Sequence, residues 1–109
     1  MTGNQYPNLY ENLKLTCNAT GPVRPPEAID WFYEGHIIYE NDERWENRIV
    51  IMNYLPELYG RSLISNLILE RVTFKDSGTY VCRSSSTNWN EEIEATRIVI
   101  EVLGGGYLP

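Results

Sequence analysis

The sequence predicts an all-β domain, built as a sandwich or a barrel, on three observations. Apolar residues alternate with polar ones at a period of two along most of the chain, turn-forming residues recur about every ten positions, and no stretch carries the 3.6-residue period of an amphipathic helix of useful length. The chain has 109 residues, which is room for one domain with one modest core. Residues 1–103 read as that domain. Residues 104–109 begin with Gly104-Gly105-Gly106 and read as a flexible tail or linker.

Each element follows from its own pattern. Leu13, Leu15, Cys17 and Ala19 alternate with Asn12, Lys14, Thr16 and Asn18, so one face of that strand is buried. The strand cannot run on through Gly21–Pro26, where Pro22, Pro25 and Pro26 remove donors and fix the backbone. Next come Ile29, Trp31 and Tyr33, facing inward, with Asp30, Phe32 and Glu34 facing outward. Glu34-Gly35 makes a turn into a short apolar strand, His36 to Tyr39. The polar stretch Glu40 to Glu46 follows, and Arg48 to Met52 regains strand character. Tyr54 to Ser62, with Pro56 and Gly60, reads as a hairpin connection longer than the usual range. Leu63, Ser65, Leu67 and Leu69 alternate again, with Val72 closing the element. Gly78 to Ser84 and Thr96 to Val102 complete the set.

Composition removes several function classes. Nine basic residues against fifteen acidic ones leave a net charge of −6, and such a surface repels phosphate backbones and anionic lipid. Nucleic acid is therefore not an expected partner. No apolar run approaches the roughly eighteen residues of a membrane span, and the N-terminus lacks the basic-then-apolar pattern of a signal peptide. A single histidine and two cysteines cannot supply a zinc cluster, and no metal or other cofactor is expected. His36, in a Glu-Gly-His-Ile stretch, reads as a strand-edge histidine rather than a catalytic base. Acid pairs such as Glu91 and Glu92 arise by chance among fifteen carboxylates and do not argue for glycoside chemistry. The glycine run precedes no helix, so it is no phosphate cradle. No enzyme is read from these residues.

Two cysteines alone could be free thiols or one bridge. Their neighbours are more specific. Cys17 lies on the inward face of the first strand, and Trp31 on the inward face of the next. Near the C-terminus comes Asp76-Ser77-Gly78-Thr79-Tyr80-Val81-Cys82. This run resembles the D-x-G-x-Y-x-C signature of the immunoglobulin superfamily, and with Cys17 and Trp31 it supplies the Cys…Trp…Cys framework of that family. The resemblance covers Leu13 to Val102. It implies an immunoglobulin-like two-sheet antiparallel β-sandwich of the variable (V) or intermediate (I) set, with one inter-sheet disulfide, Cys17–Cys82, between strands B and F. Trp31 would pack against that bridge in a core that includes Leu69. Tyr80 would form the tyrosine corner, with Gly78 admitting the tight approach into strand F. Closing a loop this long stabilises a fold by roughly 4 kcal/mol on the chain-entropy account.

The stretch between Trp31 and Leu63 is long enough for strands C′, C″ and D, as in the variable set. Arg48, opening strand D, is similar to the arginine that in such domains forms a salt bridge with the aspartate at Asp76, and Arg44 is a competitor for that role. Strand G lacks the F-G-x-G bulge of antigen receptors, with Ile98, Val99 and Ile100 in its place, and Glu34 stands where antibody domains use glutamine. The resemblance thus implies a cell-surface adhesion or recognition receptor rather than an antigen-receptor domain.

Asn18-Ala19-Thr20 has the form of an N-glycosylation acceptor, and the disulfide framework implies an extracellular setting, on a membrane-anchored or secreted parent. By alternation with Cys17, Asn18 faces outward on the sheet of strands A, B, E and D. A glycan there would leave the C-C′-F-G sheet to protein partners. The candidate contacts on that sheet are Phe32, Glu34, Ile38 or its neighbour Ile37, Tyr39 and Arg83, with Trp89 in the connection after strand F. An aromatic anchor beside an arginine suits an interface. Tyr54, Leu55, Leu58 and Tyr59 form a second aromatic group that could equally be a self-packed loop, and Trp45 is open to either reading. The expected partner is another extracellular protein, reached homophilically or heterophilically, and itself an immunoglobulin-domain protein in the narrower form of the reading. The alternative is a ligand-binding domain of a growth-factor or cytokine receptor or a secreted decoy, suggested by Val72 to Gly78. A structural domain in an intracellular array, with reduced cysteines, is a third reading.

Overall fold

The computed structural model describes residues 1–85 and 95–104. Among the described residues, seven strands form two antiparallel sheets. They are β1 (Leu13–Thr20), β2 (Ala28–Tyr33), β3 (His36–Ile37), β4 (Ile49–Tyr54), β5 (Ser62–Leu69), β6 (Gly78–Ser85) and β7 (Ala95–Ile100). One sheet has the order β1-β5-β4 and the other β3-β2-β6-β7. In the lettering of the family these are B-E-D and C′-C-F-G. Residues 86–94, which include Trp89, and residues 105–109 lie outside the described residues.

Alternation sets the core. On β1 the burial pattern switches at every residue, with Leu13, Leu15, Cys17 and Ala19 inside. Across from them Ile29 and Trp31 on β2 and Tyr80 and Cys82 on β6 are buried, and Leu67, Leu69 and Val72 are fully enclosed. A single cluster joins all of these. At its centre the two sheets are tied twice. Cys17 and Cys82 form a disulfide with a Cα–Cα distance of 6.4 Å across 65 residues of sequence. In register, Cys82 sits opposite Trp31 and Cys17 opposite Ser65. The indole N–H of Trp31 donates to the Ser65 hydroxyl at 2.9 Å. The covalent bridge and this hydrogen bond therefore cross the sandwich side by side, and the one polar atom of the indole is satisfied inside the core.

The lower end of the sandwich is closed by polar bonds. Tyr80 Oη donates to the Asp76 carbonyl at 2.7 Å, four residues back. Asp76 is 1% exposed and accepts from both guanidinium nitrogens of Arg48, at 2.9 and 3.1 Å, and from the Thr73 backbone N–H at 2.8 Å. Arg48 also donates to the Glu70 carbonyl at 3.1 Å. Burial, with Asp76 nearby, pushes the Tyr80 phenol well above its ordinary range. The hydrogen bonds that it donates to Asp76 raise the Arg48 guanidinium further above its already high value. The N-terminal segment touches both sheets. Thr2 exchanges backbone bonds with Thr16 on β1, whereas Pro7 accepts from Leu103 beyond β7.

One expectation is corrected here, and two readings that the sequence left open are decided. No C″ strand forms among the described residues; a 3-10 turn at Glu43–Trp45, capped by Asp42, takes that place. Glu46 and Asn47 then adopt positive φ, which breaks any strand. The Glu40 carboxylate meanwhile accepts the Ile51 N–H at 2.7 Å, which ties this connection to the edge of β4. The chain thus falls short of the variable set, which carries both C′ and C″. Trp45 is a core residue, 2% exposed, with its ring edge-on to Tyr33 at 5.4 Å. Arg44 does not reach Asp76. Its guanidinium lies over the rings of Tyr33 and Trp45, at 4.7 and 4.5 Å.

Candidate protein-binding face

The outer face of the β3-β2-β6-β7 sheet is a regular array because its register is regular. Phe32 on β2 pairs with Ile37 on β3 and with Val81 on β6, and Val81 pairs with Arg97 on β7. These four residues form one row across the sheet. Above it lie Asp30, Arg83 and Ala95, and below it Thr79 and Val99, by the same pairings. An apolar stripe therefore runs through the middle of the face with charge at its margin.

Arg83 folds over that stripe. Its guanidinium carbon is 4.7 Å from the centroid of the Phe32 ring, a distance at which the ring quadrupole attracts the cation. Its terminal nitrogen lies 3.9 Å from the Asp30 carboxylate, with both side chains half-exposed. Such an ion pair contributes little to stability. Its effect is to hold the guanidinium plane on the ring and so reduce the freedom lost when a partner docks.

The lower edge of the face is set by the β2–β3 hairpin. Tyr33 pairs with His36 across the two-residue turn Glu34-Gly35, with φ of 47° and 82°. Positive φ at both positions is the geometry that matches the twist of paired strands. The Glu34 carboxylate accepts the Thr79 N–H at 2.7 Å, so it braces β6 rather than projecting from the face. A side chain at Gly78 would collide with that carboxylate and with the Tyr33 ring, which accounts for glycine there. Beside this turn, Tyr33, Glu34, His36, Ile37, Arg44 and Trp45 line a concavity of about 370 Å³. Burial raises the Tyr33 phenol above its ordinary value, against the opposing pull of Arg44.

Of the candidate contacts, Phe32 and Arg83 are together on this face. Ile38 is not. It is 5% exposed, and its N–H donates to the Trp31 carbonyl at 2.8 Å. The pairing of Phe32 with Ile37 puts Ile37 outside, and alternation then turns Ile38 into the core. The outward residue of this pair is Ile37, 37% exposed. Tyr39 is exposed beyond the end of β3. Arg97 and Val99 on β7 belong to the face and were not among the candidates; the alternation of Arg97 and Val99 with buried Ile98 and Ile100 was the available signal. Asn18 is exposed on the opposite sheet. The loop residues Leu58 and Tyr59 are 82% and 95% exposed, so that second aromatic group is not a self-packed loop. Among the described residues, no group of three or more Cys, His or carboxylate side chains is placed to hold a metal.

A comparison of the sequence with known families matches the one described as "Immunoglobulin domain" over residues 6–95. The chain belongs to that family. The immunoglobulin domain is 30% identical over 80 residues to Fasciclin-2 of Schistocerca americana, across 73% of this chain and 7% of that protein. It is 29% identical to Neural cell adhesion molecule 1 of Gallus gallus, across 72% of this chain and 6% of that protein. Basigin of Gallus gallus is 31% identical over 81 residues, across 70% of this chain and 19% of that protein. The domain thus spans a small fraction of each relative's length. Among solved structures, murine CRIg superposes with a TM-score of 0.64 at 12% identity, over 93% of this chain and 94% of that one. That likeness speaks for the two-sheet fold alone.

Proposed function

We propose that this immunoglobulin domain, residues 1–103 with 104–109 as a connecting tail, is an extracellular recognition module. In this reading it belongs to an adhesion or recognition receptor and binds a protein partner through its β3-β2-β6-β7 face. The observation that carries the reading is the Arg83–Phe32 stack at the centre of that face, next to Ile37 and Val81. Aromatic and arginine side chains dominate the energy of protein interfaces, and pre-ordered ones most of all. Similarity to a protein named for neural cell adhesion supports the class of parent. The disulfide supports an oxidising compartment.

Sedimentation velocity of the non-reduced domain across micromolar concentrations tests the homophilic form. A concentration-dependent dimer that Phe32→Glu abolishes is the expected result for self-recognition. For a domain that stays monomeric, a panel of purified ectodomains is screened with the parent and with Phe32→Glu in parallel. Binding that survives Phe32→Glu removes this face from the site. Trp89→Ala is expected to weaken the same complex while leaving the melting temperature nearly unchanged, and an unaltered affinity removes Trp89 from the contact.

A further inference from the structure

The opposite sheet has an outer face of unusual composition. Its rows are fixed by register: Asn18, Ile64 and Tyr54 in one, then Thr16, Asn66 and Met52, then Lys14, Ile68 and Val50. Lys14 is the only charged residue of the nine, in a chain that carries fifteen carboxylates. The Thr16 hydroxyl donates to Asn66 Oδ1 at 2.7 Å. What is left to a visitor is an apolar strip, with Met52 and Tyr54 each 49% exposed and Val50 39% exposed. A sheet face this apolar is ordinarily covered.

At the head of the first row stands Asn18, exposed, in the only Asn-x-Ser/Thr sequence of the chain. Neighbouring strands lie about 4.8 Å apart, so Tyr54, two strands over from Asn18, is about 10 Å away, with Ile64 between. The first two sugar rings of an N-linked glycan span that distance. Sugar rings present uncharged C–H faces that pack on aromatic and aliphatic side chains, and their hydroxyls remain in water. An uncharged cover attached at the end of an uncharged apolar row fits better than a protein surface bearing the charges typical of this chain.

We infer that a glycan on Asn18 lies along the Asn18–Ile64–Tyr54 row and covers this face. The inference rests on the extracellular reading above and deepens it, because it leaves β3-β2-β6-β7 as the open sheet. The modification is a group transfer from an oligosaccharide carried on a polyprenyl pyrophosphate. The Asn18 side-chain nitrogen bonds to the anomeric carbon of the sugar, the bond from that carbon to the pyrophosphate oxygen breaks, and the lipid pyrophosphate leaves with the electron pair. The amide loses one proton, and nothing is oxidised or reduced.

The test uses the whole chain secreted from a eukaryotic host. Mass spectrometry reads occupancy at Asn18. The intact glycoform is then compared with enzymatically deglycosylated protein, with Asn18→Gln and with Thr20→Ala. An occupied Asn18, a glycoform that binds little apolar dye, and bare forms that bind several-fold more dye and melt a few degrees lower are expected. In a Tyr54→Ser background the glycan's effect on melting should largely disappear. Secretion of folded protein with Asn18 bare overturns the inference, as do equal dye binding and melting with and without the glycan. So does a glycoform dimer that Met52→Lys dissociates, which assigns the face to a second copy. None of these readouts involves the β3-β2-β6-β7 face, so its assignment stands or falls separately.

Discussion

Removing one partner of the Arg48–Asp76 pair tests how the lower end of the sandwich is held. The Asp76 side chain is 1% exposed and that of Arg48 is 6% exposed. In Asp76→Ala the guanidinium keeps the Glu70 and Arg71 carbonyls, at 3.1 and 3.4 Å, and the exposed Glu46 carboxylate at 4.0 Å, and the Thr73 N–H loses its acceptor. In Arg48→Met a buried carboxylate is left with the Thr73 groups alone. Stripping a partner from a buried ion pair costs about 3–5 kcal/mol, chiefly because the remaining charge cannot regain its hydration. For a domain of this size that lowers Tm by about 15 °C or more. The double variant Arg48→Met/Asp76→Ala buries no charge and should cost clearly less than the sum of the two, with a coupling of about 2 kcal/mol or more. Urea unfolding of the four proteins, followed by tryptophan fluorescence, gives each value. Single losses below about 1 kcal/mol, or strict additivity, would refute the account, since either means that the charges are hydrated in the folded state.

Trp31→Ala opens a cavity against the bridge and strands the Ser65 hydroxyl, so a loss of about 3–5 kcal/mol is expected from urea unfolding; a loss under about 1 kcal/mol would show that the indole is not packed. Cys82→Ser removes the closure of a 65-residue separation and should cost roughly 4 kcal/mol, and a variant as stable as the parent undoes the structural role of the bridge. Alkaline pH should also destabilise the domain. Tyr33 and Tyr80 have phenol pKa values raised in the folded state, so above about pH 10 the unfolded chain sheds these protons first and stability falls as pH rises. In a phenolate absorbance titration of the eight tyrosines, the Tyr80 component should appear only together with unfolding; its appearance in folded protein contradicts the burial of that ring.

How far the fold was legible depended on what each residue answers to. The period of two on β1 and β5 was readable because one face of each is buried against a single core, and the signature from Asp76 to Cys82 fixed β6. The pairing of Arg48 with Asp76 was legible by resemblance, but the fate of Arg44 was not, since stacking on Tyr33 and Trp45 depends on a 3-10 turn that no local period announces. The missing C″ strand was illegible for a related reason. Length alone allowed it, and the 3-10 turn with the positive φ of Glu46 and Asn47 that follows it is announced by no local period. Ile38 was misplaced because two consecutive isoleucines carry no alternation; only the Phe32–Ile37 pairing decides which one faces out. The N-terminal segment was unread because its bonds to both sheets are made by backbone groups.

The candidate face is bound to the core by sequence adjacency. Phe32 follows Trp31 and Arg83 follows Cys82, while Trp31 and Cys82 are themselves paired across β2 and β6. In a strand, successive side chains point to opposite faces, and a slip of one residue exchanges the two sets. The disulfide and the Trp31–Ser65 hydrogen bond forbid that slip, because either one fails if β2 or β6 moves by a residue. The Arg83–Phe32 stack thus inherits its position from the most constrained point of the sandwich. Trp31→Phe keeps a ring in the core but loses the bond to Ser65, and touches nothing on the outer face. If the face is the binding site, this variant should weaken a Phe32-dependent complex only to the extent that it loosens β2, and urea should reveal the same loosening. A complex weakened far beyond the loss of stability would mean that the indole itself, and not the register it enforces, carries the recognition.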